Sequence, residues 1–135
     1  MQLAKNQLEA LDLWRRVTVE TVRSDAPDLT ARQLAVLMIV RLGEGPHTVR
    51  GLAAQLKVGK PAITRALDTL SGLGFIQRRR DPEDGRNVLL ERTMKGDEFL
   101  DALGSAILDQ RSEIVRPSEE WKGERRLELV SERAV

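Results

Sequence analysis

The residues with the most chemistry to offer are the cations in the middle of the chain. From His47 to Gly96 there are ten of them (Arg50, Lys57, Lys60, Arg65, Arg78, Arg79, Arg80, Arg86, Arg92 and Lys95) against five acids, a net +5. The remaining residues hold 12 cations against 16 acids, a net −4. A basic middle between acidic ends suits a face turned toward a polyanion. Charge alone fits an ordinary solvated surface equally well, so the pattern of elements must decide.

Other chemistries lack their residues. The chain has no cysteine, which removes disulfides, thiolate nucleophiles, thiol redox switches and cysteine zinc sites together. His47 is the sole histidine, so histidine-clustered metal centres and most histidine-based triads are not expected. A lone histidine in a loop is more often a hydrogen-bonder than a ligand or base. Aromatics are only 3%, too few for a platform that stacks single-stranded bases. With no nucleophile–base pair, metal cluster or phosphate loop, the expectation is no enzyme, no metal and no cofactor.

The chain's 135 residues suit a single domain, 1–135. A content of 41% hydrophobic and 32% charged residues fits a folded globular chain. The longest apolar run, Leu34 to Val40, is too short to span a bilayer. The first six residues are too polar for a secretory signal. A cytoplasmic protein without a membrane partner is therefore expected.

The elements that must position the cations can be read in order. Residues 3–23 form a helix, with Leu3, Gln7, Leu11, Trp14, Thr18 and Val22 near one stripe and Leu8, Leu13 and Val17 widening it. Ser24 to Asp28 break it. Thr30 and Gln33 have capping-box spacing, with Leu29 and Leu34 placed as a hydrophobic staple. The helix that follows, through Leu42, is nearly continuously apolar and should be the most buried one. Gly43, Gly45 and Pro46 stop it. Thr48 caps a short helix over 49–56, and Lys57-Val58-Gly59 make a tight break. Another helix runs from Lys60 to about Leu73, with Pro61 tolerated in its first turn. Ile63, Ala66, Leu67 and Leu70 are its buried stripe; Lys60, Ala62, Thr64, Arg65, Asp68 and Thr69 take the opposite face. Phe75 to Arg80 and Asn87 to Arg92 read as two strands around a turn rich in Asp, Pro and Gly, a β-hairpin. Thr93 or a neighbour opens a helix whose inner stripe is Phe99, Leu100, Leu103, Ile107 and Ile114. Pro117 breaks that helix. Ser118 caps a weak terminal helix carrying Trp121, Leu127, Leu129, Val130 and Val135.

Helix, short helix, three-residue break, helix and basic hairpin is the order of a winged helix-turn-helix. The second helix of the pair fits the DNA major groove, about 12 Å wide, and presents side chains to base edges. Capped helix ends can hold phosphates, and the hairpin reaches the backbone or the minor groove. The fold class is mainly α with a small β-hairpin wing. A DNA-binding core over 29–93 is flanked by N- and C-terminal helical segments over 1–23 and 94–135.

The chain also resembles the MarR (multiple antibiotic resistance) family of transcriptional regulators over about residues 29–103. The matching segments are LTARQLAVLMIV (29–40), VRGLAAQLKVGKPAITRALDTLSGLGFIQRR (49–79) and DPEDGR (81–86), the last being the most specific. The resemblance implies a homodimer built on the terminal helices. It implies sequence-specific binding to a pseudo-palindromic duplex operator, usually as a repressor. It also implies release of DNA on binding a small aromatic effector.

Residue by residue, Lys60, Pro61, Ala62, Thr64 and Arg65 match the start and exposed face of the recognition helix. Arg65 is the best base reader, since a guanidinium can bond both O6 and N7 of guanine. Its competing roles are a phosphate clamp or an ion pair with Asp68 or Asp84. Arg86 matches the wing arginine that enters the minor groove, and Asp84 the acid that holds it. Arg78, Arg79 and Arg80 alternate across a strand, so one or two (Arg78 and Arg80 are the candidates) meet phosphate while another pairs within the protein. Lys57 is a phosphate contact from the turn. Trp14 is the candidate for an effector pocket near the dimer interface, against a plain core or interface role. Two positions depart from the family pattern: Gly59, where a capping residue such as Ser is common, and Arg92, where an apolar residue usually precedes the Thr after the wing. The alternative function is a winged helix used for protein interaction or assembly, without sequence-specific DNA binding.

Overall fold

The computed structural model describes residues 2–115, with side chains from Lys5 to Glu113. The expected break at Pro117, the cap at Ser118 and the terminal helix with Trp121, Leu127, Leu129, Val130 and Val135 lie outside the described residues, as do the side chains of Leu3 and Ile114. In chain order the elements are helix α1 (Gln2–Arg23), α2 (Ala31–Leu42), strand β1 (His47–Thr48), α3 (Val49–Leu56), α4 (Lys60–Gly72), β2 (Ile76–Arg80), β3 (Val88–Arg92) and α5 (Met94–Val115). No helix among the described residues is long and apolar enough to cross a membrane.

The chain divides into two compact units. One is residues 27–101; the other contains residues 2–26 and 102–115 among those described. The 27–101 unit holds α2 to β3 and the first two turns of α5.

Its core follows from helical spacing. Val36, Leu37 and Val40 of α2, Leu52 and Ala53 of α3, and Ile63, Ala66, Leu67 and Leu70 of α4 are buried together with Phe75, Ile76 and Leu90. The stripe expected on α4 is the one observed. Both reciprocal bonds of the capping box form at the start of α2: Gln33 N donates to Thr30 Oγ1 at 3.1 Å and Thr30 N donates to Gln33 Oε1 at 2.9 Å. Phe75 stacks on Phe99 with ring centroids 4.8 Å apart, which seats the first turns of α5 on the core.

Two expectations for this unit need correction. The hairpin of β2 and β3 forms as expected, but it does not stand alone. His47 and Thr48 form a third strand, antiparallel to β3, in the order β1-β3-β2. Pairing on both sides gives partners to the row of β3 backbone groups that faces away from β2, which a lone hairpin would leave open. His47 is therefore a strand residue rather than a loop residue, and its Nε2 lies 3.2 Å from the Gly43 carbonyl oxygen. Helix α2 is also not the most buried helix: it buries Val36, Leu37 and Val40 where α4 buries four side chains, and Leu42 is 79% exposed and Met38 exposed as well. An unbroken apolar run covers every side of a helix, whereas this unit packs only one side of it.

In the other unit, Val17 is fully buried and Asp12 is buried, its carboxylate taking Arg15 at 2.6 and 2.9 Å and Arg16 at 3.1 Å. Leu11, Trp14 and Val22, expected on the main apolar stripe of α1, are exposed, as is Leu108 on α5. Leu103 and Ile107 of the expected α5 stripe are half-buried.

Candidate nucleic-acid interface

The site is built on the α3–turn–α4 pair and the hairpin, all within the 27–101 unit. Thr48 ends β1 in extended conformation and caps α3, its Oγ1 accepting from Gly51 N at 2.9 Å. Lys57 closes α3 in the left-handed region (φ 56, ψ 44), where it is the sole non-glycine residue among those described. Its N–H and that of Val58 return to the last carbonyls of the helix, Ala54 at 3.3 Å and Ala53 at 3.1 Å, which turns the chain sharply into α4. Gly59 is the N-cap of α4 and supplies no side-chain bond, while Pro61 sits in the first turn. The exposed face of α4 then carries Lys60, Pro61, Thr64, Arg65, Asp68 and Thr69, with Ala62 half-buried.

The hairpin stands on strict antiparallel register, Ile76 opposite Arg92 through Arg80 opposite Val88. Alternation puts Arg78 and Arg80 on the face of buried Ile76, and Arg79 on the reverse. The three arginines meet different fates. Arg78 Nη2 donates to Asp68 Oδ1 on α4 at 2.7 Å. Arg79 Nε pairs with Glu91 Oε1 at 2.7 Å, diagonally across the strands. Arg80 has no acid partner within 4.0 Å among the described residues. Arg78, a candidate phosphate contact, is thus engaged inside the protein.

Asp84 holds Arg86 through the backbone rather than by an ion pair: its Oδ1 accepts from Arg86 N at 3.1 Å and its carbonyl accepts from Asn87 N at 3.0 Å. Asp81 Oδ1 accepts from Glu83 N at 2.9 Å in the same turn. The turn is therefore shaped by carboxylates while the Arg86 guanidinium stays exposed. Among the described residues, Lys57, Lys60, Arg65, Arg80 and Arg86 are all exposed cations without an ion pair, as are Arg50 in the first turn of α3 and Lys95 in that of α5. Neither acid suggested as an ion-pair partner for Arg65 holds it.

Arg92, apolar in the family pattern, is accommodated by Asp97 in the first turn of α5. Arg92 Nε lies 3.2 Å from both carboxylate oxygens and Nη2 donates to Oδ2 at 2.7 Å. That hydrogen bond holds the Asp97 carboxyl below its ordinary range, and it raises Arg92 in turn. Arg41 of α2 adds a second guanidinium, Nε 3.4 Å from Asp97 Oδ1. Neither Arg41 nor Asp97 stood out in the sequence; an acid in a first helical turn beside an arginine in a position usually apolar was the available signal. Gly96 was also missed. A Cβ there would lie 2.2 Å from the Phe75 carbonyl oxygen, so only glycine lets α5 lie this close to the α4–β2 connection. A cavity of about 260 Å3 opens between the end of α2, β1 and α3, lined by Ile39, Pro46, His47, Leu52 and Gln55 among others. Trp14 is half-exposed on α1.

Comparison with known proteins places this geometry. Residues 29–88 match the model of the MarR family. The chain is 30% identical over 111 residues, 82% of its length and 69% of the relative's, to the HTH-type transcriptional regulator ML2140 of Mycobacterium leprae. The chain belongs to the MarR family. A second relative, the HTH-type transcriptional regulator Mb0904 of Mycobacterium bovis, is 30% identical over 103 residues, 76% of this chain and 64% of the relative. The chain thus spans about two thirds of the length of these curated relatives. Among solved structures, the transcriptional regulator Tm0710 from Thermotoga maritima has a TM-score of 0.69 at 23% identity, covering 98% of this chain and 92% of that one. A MepR mutant of S. aureus bound to an oligodeoxyribonucleotide has a TM-score of 0.75 at 16% identity, covering 99% and 96%. At these identities the likeness establishes the fold, the winged helix of the MarR family. Membership makes the chain a MarR-family transcriptional regulator, not an enzyme.

Proposed function

We propose that this MarR-family regulator binds a pseudo-palindromic DNA duplex as a homodimer and represses transcription. The observation that carries the proposal is the separation of its cations. Arg41, Arg78, Arg79 and Arg92 are spent on acids of the protein, whereas Lys57, Lys60, Arg65, Arg80 and Arg86 stand exposed and, among the described residues, unpaired on the turn, α4 and the wing. In this reading α4 enters the major groove, with Arg65 on a base edge and Thr64 on a thymine methyl or a phosphate. Lys60, Pro61 and Ala62 lie at the groove's edge, and Lys57 and Arg80 meet phosphates. Arg86, set by Asp84, enters the minor groove. Arg78 acts by tying the wing to α4.

The homodimer draws support from the exposed Leu11, Trp14 and Val22 of α1, a large apolar stripe on one helix. A pair of recognition helices about one helical turn apart then selects a two-fold operator. Release by a small aromatic effector is part of the proposal; Trp14 is the residue offered for it. An effector shifts DNA binding only through its differential affinity for the two states.

The test is a gel shift with sheared genomic DNA at two salt concentrations, followed by selection of bound fragments. Strong, salt-sensitive binding with enrichment of a two-fold sequence is expected. Almost no binding at either salt concentration would favour the protein-interaction module instead.

A further inference from the structure

Strand β3 passes into α5 through a corner that is anchored three times over. Thr93 Oγ1 donates to the Gly74 carbonyl at 2.7 Å and accepts from Gly96 N at 3.0 Å. Gly96 rests directly on the Phe75 backbone. Across the outside of the corner, Arg92 on the strand grips Asp97 on the helix with both its Nε and Nη2. Arg41, from the last turn of α2, reaches the same carboxylate and also lies 3.7 Å from Asp101. Three elements thus converge on one half-buried acid. An isolated exposed pair does little, but a forked pair joined to a second arginine restricts geometry. The place matters as well. Asp97 and Asp101 occupy consecutive turns of α5, and the 27–101 unit ends at Asp101. The clasp therefore acts on the segment through which the chain leaves that unit.

We infer that Asp97, held by Arg92 and Arg41, is a positioning residue for DNA recognition: it fixes the direction in which α5 leaves the wing, and so the separation of half-sites that the dimer accepts. The inference rests on the DNA-binding reading above. Asp97 touches no DNA in it; its effect passes through the wing strand and the helix. A short carboxylate gripped from two sides resists rotation of the helix about the Thr93 corner, whereas an amide of the same shape cannot hold two guanidinium groups by charge.

Duplexes are selected with the full chain from a random-sequence pool, and the recovered half-site is placed twice on synthetic duplexes whose spacing grows one base pair at a time. Binding of the parent, Asp97→Asn and Asp97→Glu is followed by fluorescence anisotropy at two salt concentrations. The parent is expected to prefer one spacing over its neighbours by about tenfold. Asp97→Asn is expected to lose most of that preference while keeping the parent's salt slope, because no phosphate contact is removed. Asp97→Glu is expected to restore the preference. Arg92→Gln, at an exposed side chain, must flatten the preference in the same way, and it serves if Asp97→Asn melts too early to assay. A parent that binds duplexes with no spacing preference overturns the clasp and leaves DNA binding standing. Variants that keep the parent's preference do the same. A selection that recovers no duplex overturns the DNA-binding reading and the clasp with it.

Discussion

Arg78 of β2 donates to Asp68 of α4 across 2.7 Å, joining the wing to the helix that carries Arg65 one turn earlier. The pair is largely exposed, so its contribution to stability is small, about 0.2–1 kcal/mol. Its electrostatic effect on a polyanion should be larger. Asp68→Asn removes a negative charge from the exposed face of α4 and frees a guanidinium beside it. Duplex affinity should rise, and the salt slope should steepen by about one charge. Arg78→Ala should leave the slope nearly unchanged, because that cation is already neutralised. Anisotropy titrations across salt concentrations distinguish the two.

Arg65 and Arg86 should fail in different ways. Arg65→Ala is expected to cost about 1–3 kcal/mol on the selected operator and to relax preference at one base position. A uniform loss on every duplex would make Arg65 a phosphate contact. Arg86→Ala is expected to lower both the affinity and the salt slope by about one charge. Binding equal to the parent's would remove the wing from the interface.

Lys57 combines a strained backbone with an exposed charge. A left-handed non-glycine residue costs about 1–2 kcal/mol. Glycine relieves that but adds freedom to the unfolded chain. Lys57→Gly should therefore melt at or slightly above the parent temperature while binding duplex more weakly. A thermal melt paired with a titration checks both halves; a variant that melts markedly lower would mean that the lysine side chain, not the turn, carries the stability.

Gly96→Ala should be costly. Its new methyl group would press on the Phe75 carbonyl, backbone that cannot rotate away. Overpacking of this kind costs about 1–3 kcal/mol. Gly72→Ala, at the end of α4 with open space around it, is the control and should be neutral or stabilising. Urea denaturation of the two variants against the parent measures the difference.

The Asp97 pair predicts a dependence on acid. Its carboxyl is held below the ordinary 3.8 chiefly by the Arg92 hydrogen bond. A group with a lowered folded value adds stability that is complete above the ordinary value and lost as the pH falls through the folded one. The stability gap between parent and Asp97→Asn should stay constant from neutral pH down to about 5 and shrink below 3.8. A gap unchanged by acid would assign the effect to shape instead of charge.

Local signals made much of the fold legible. The Thr30–Gln33 box, the Thr48 cap, the Ile63-Ala66-Leu67-Leu70 stripe and the turn chemistry of 81–86 each act within a few residues, and each appears where its spacing predicts. What stayed hidden depends on neighbours distant in the chain. His47 and Thr48 pair with Leu90 and Leu89, and two residues carry no periodicity from which a strand could be read. The fate of each arginine was hidden for the same reason. Alternation separates Arg79 from Arg78 and Arg80, but only the folded chain brings Asp68 to Arg78 and Asp97 to Arg92. On α1 the periodicity marks the stripe of Leu11, Trp14 and Val22, but it does not say which side chains a single chain covers: Val17, which widens the stripe, is the one fully buried.

The strand order β1-β3-β2 leaves β2 at the rim, with one row of its backbone amides and carbonyls unclaimed by the sheet. Such a rim invites another ribbon to zip onto it, and the three arginines along it, Arg78 and Arg79 paired with acids and Arg80 unpaired among the described residues, would have to give up their water and their partners for that approach. At high protein concentration these side chains are therefore expected to oppose fibrillar stacking, independently of any ligand. Substitutions that strip charge from this strand consequently carry a risk of insolubility.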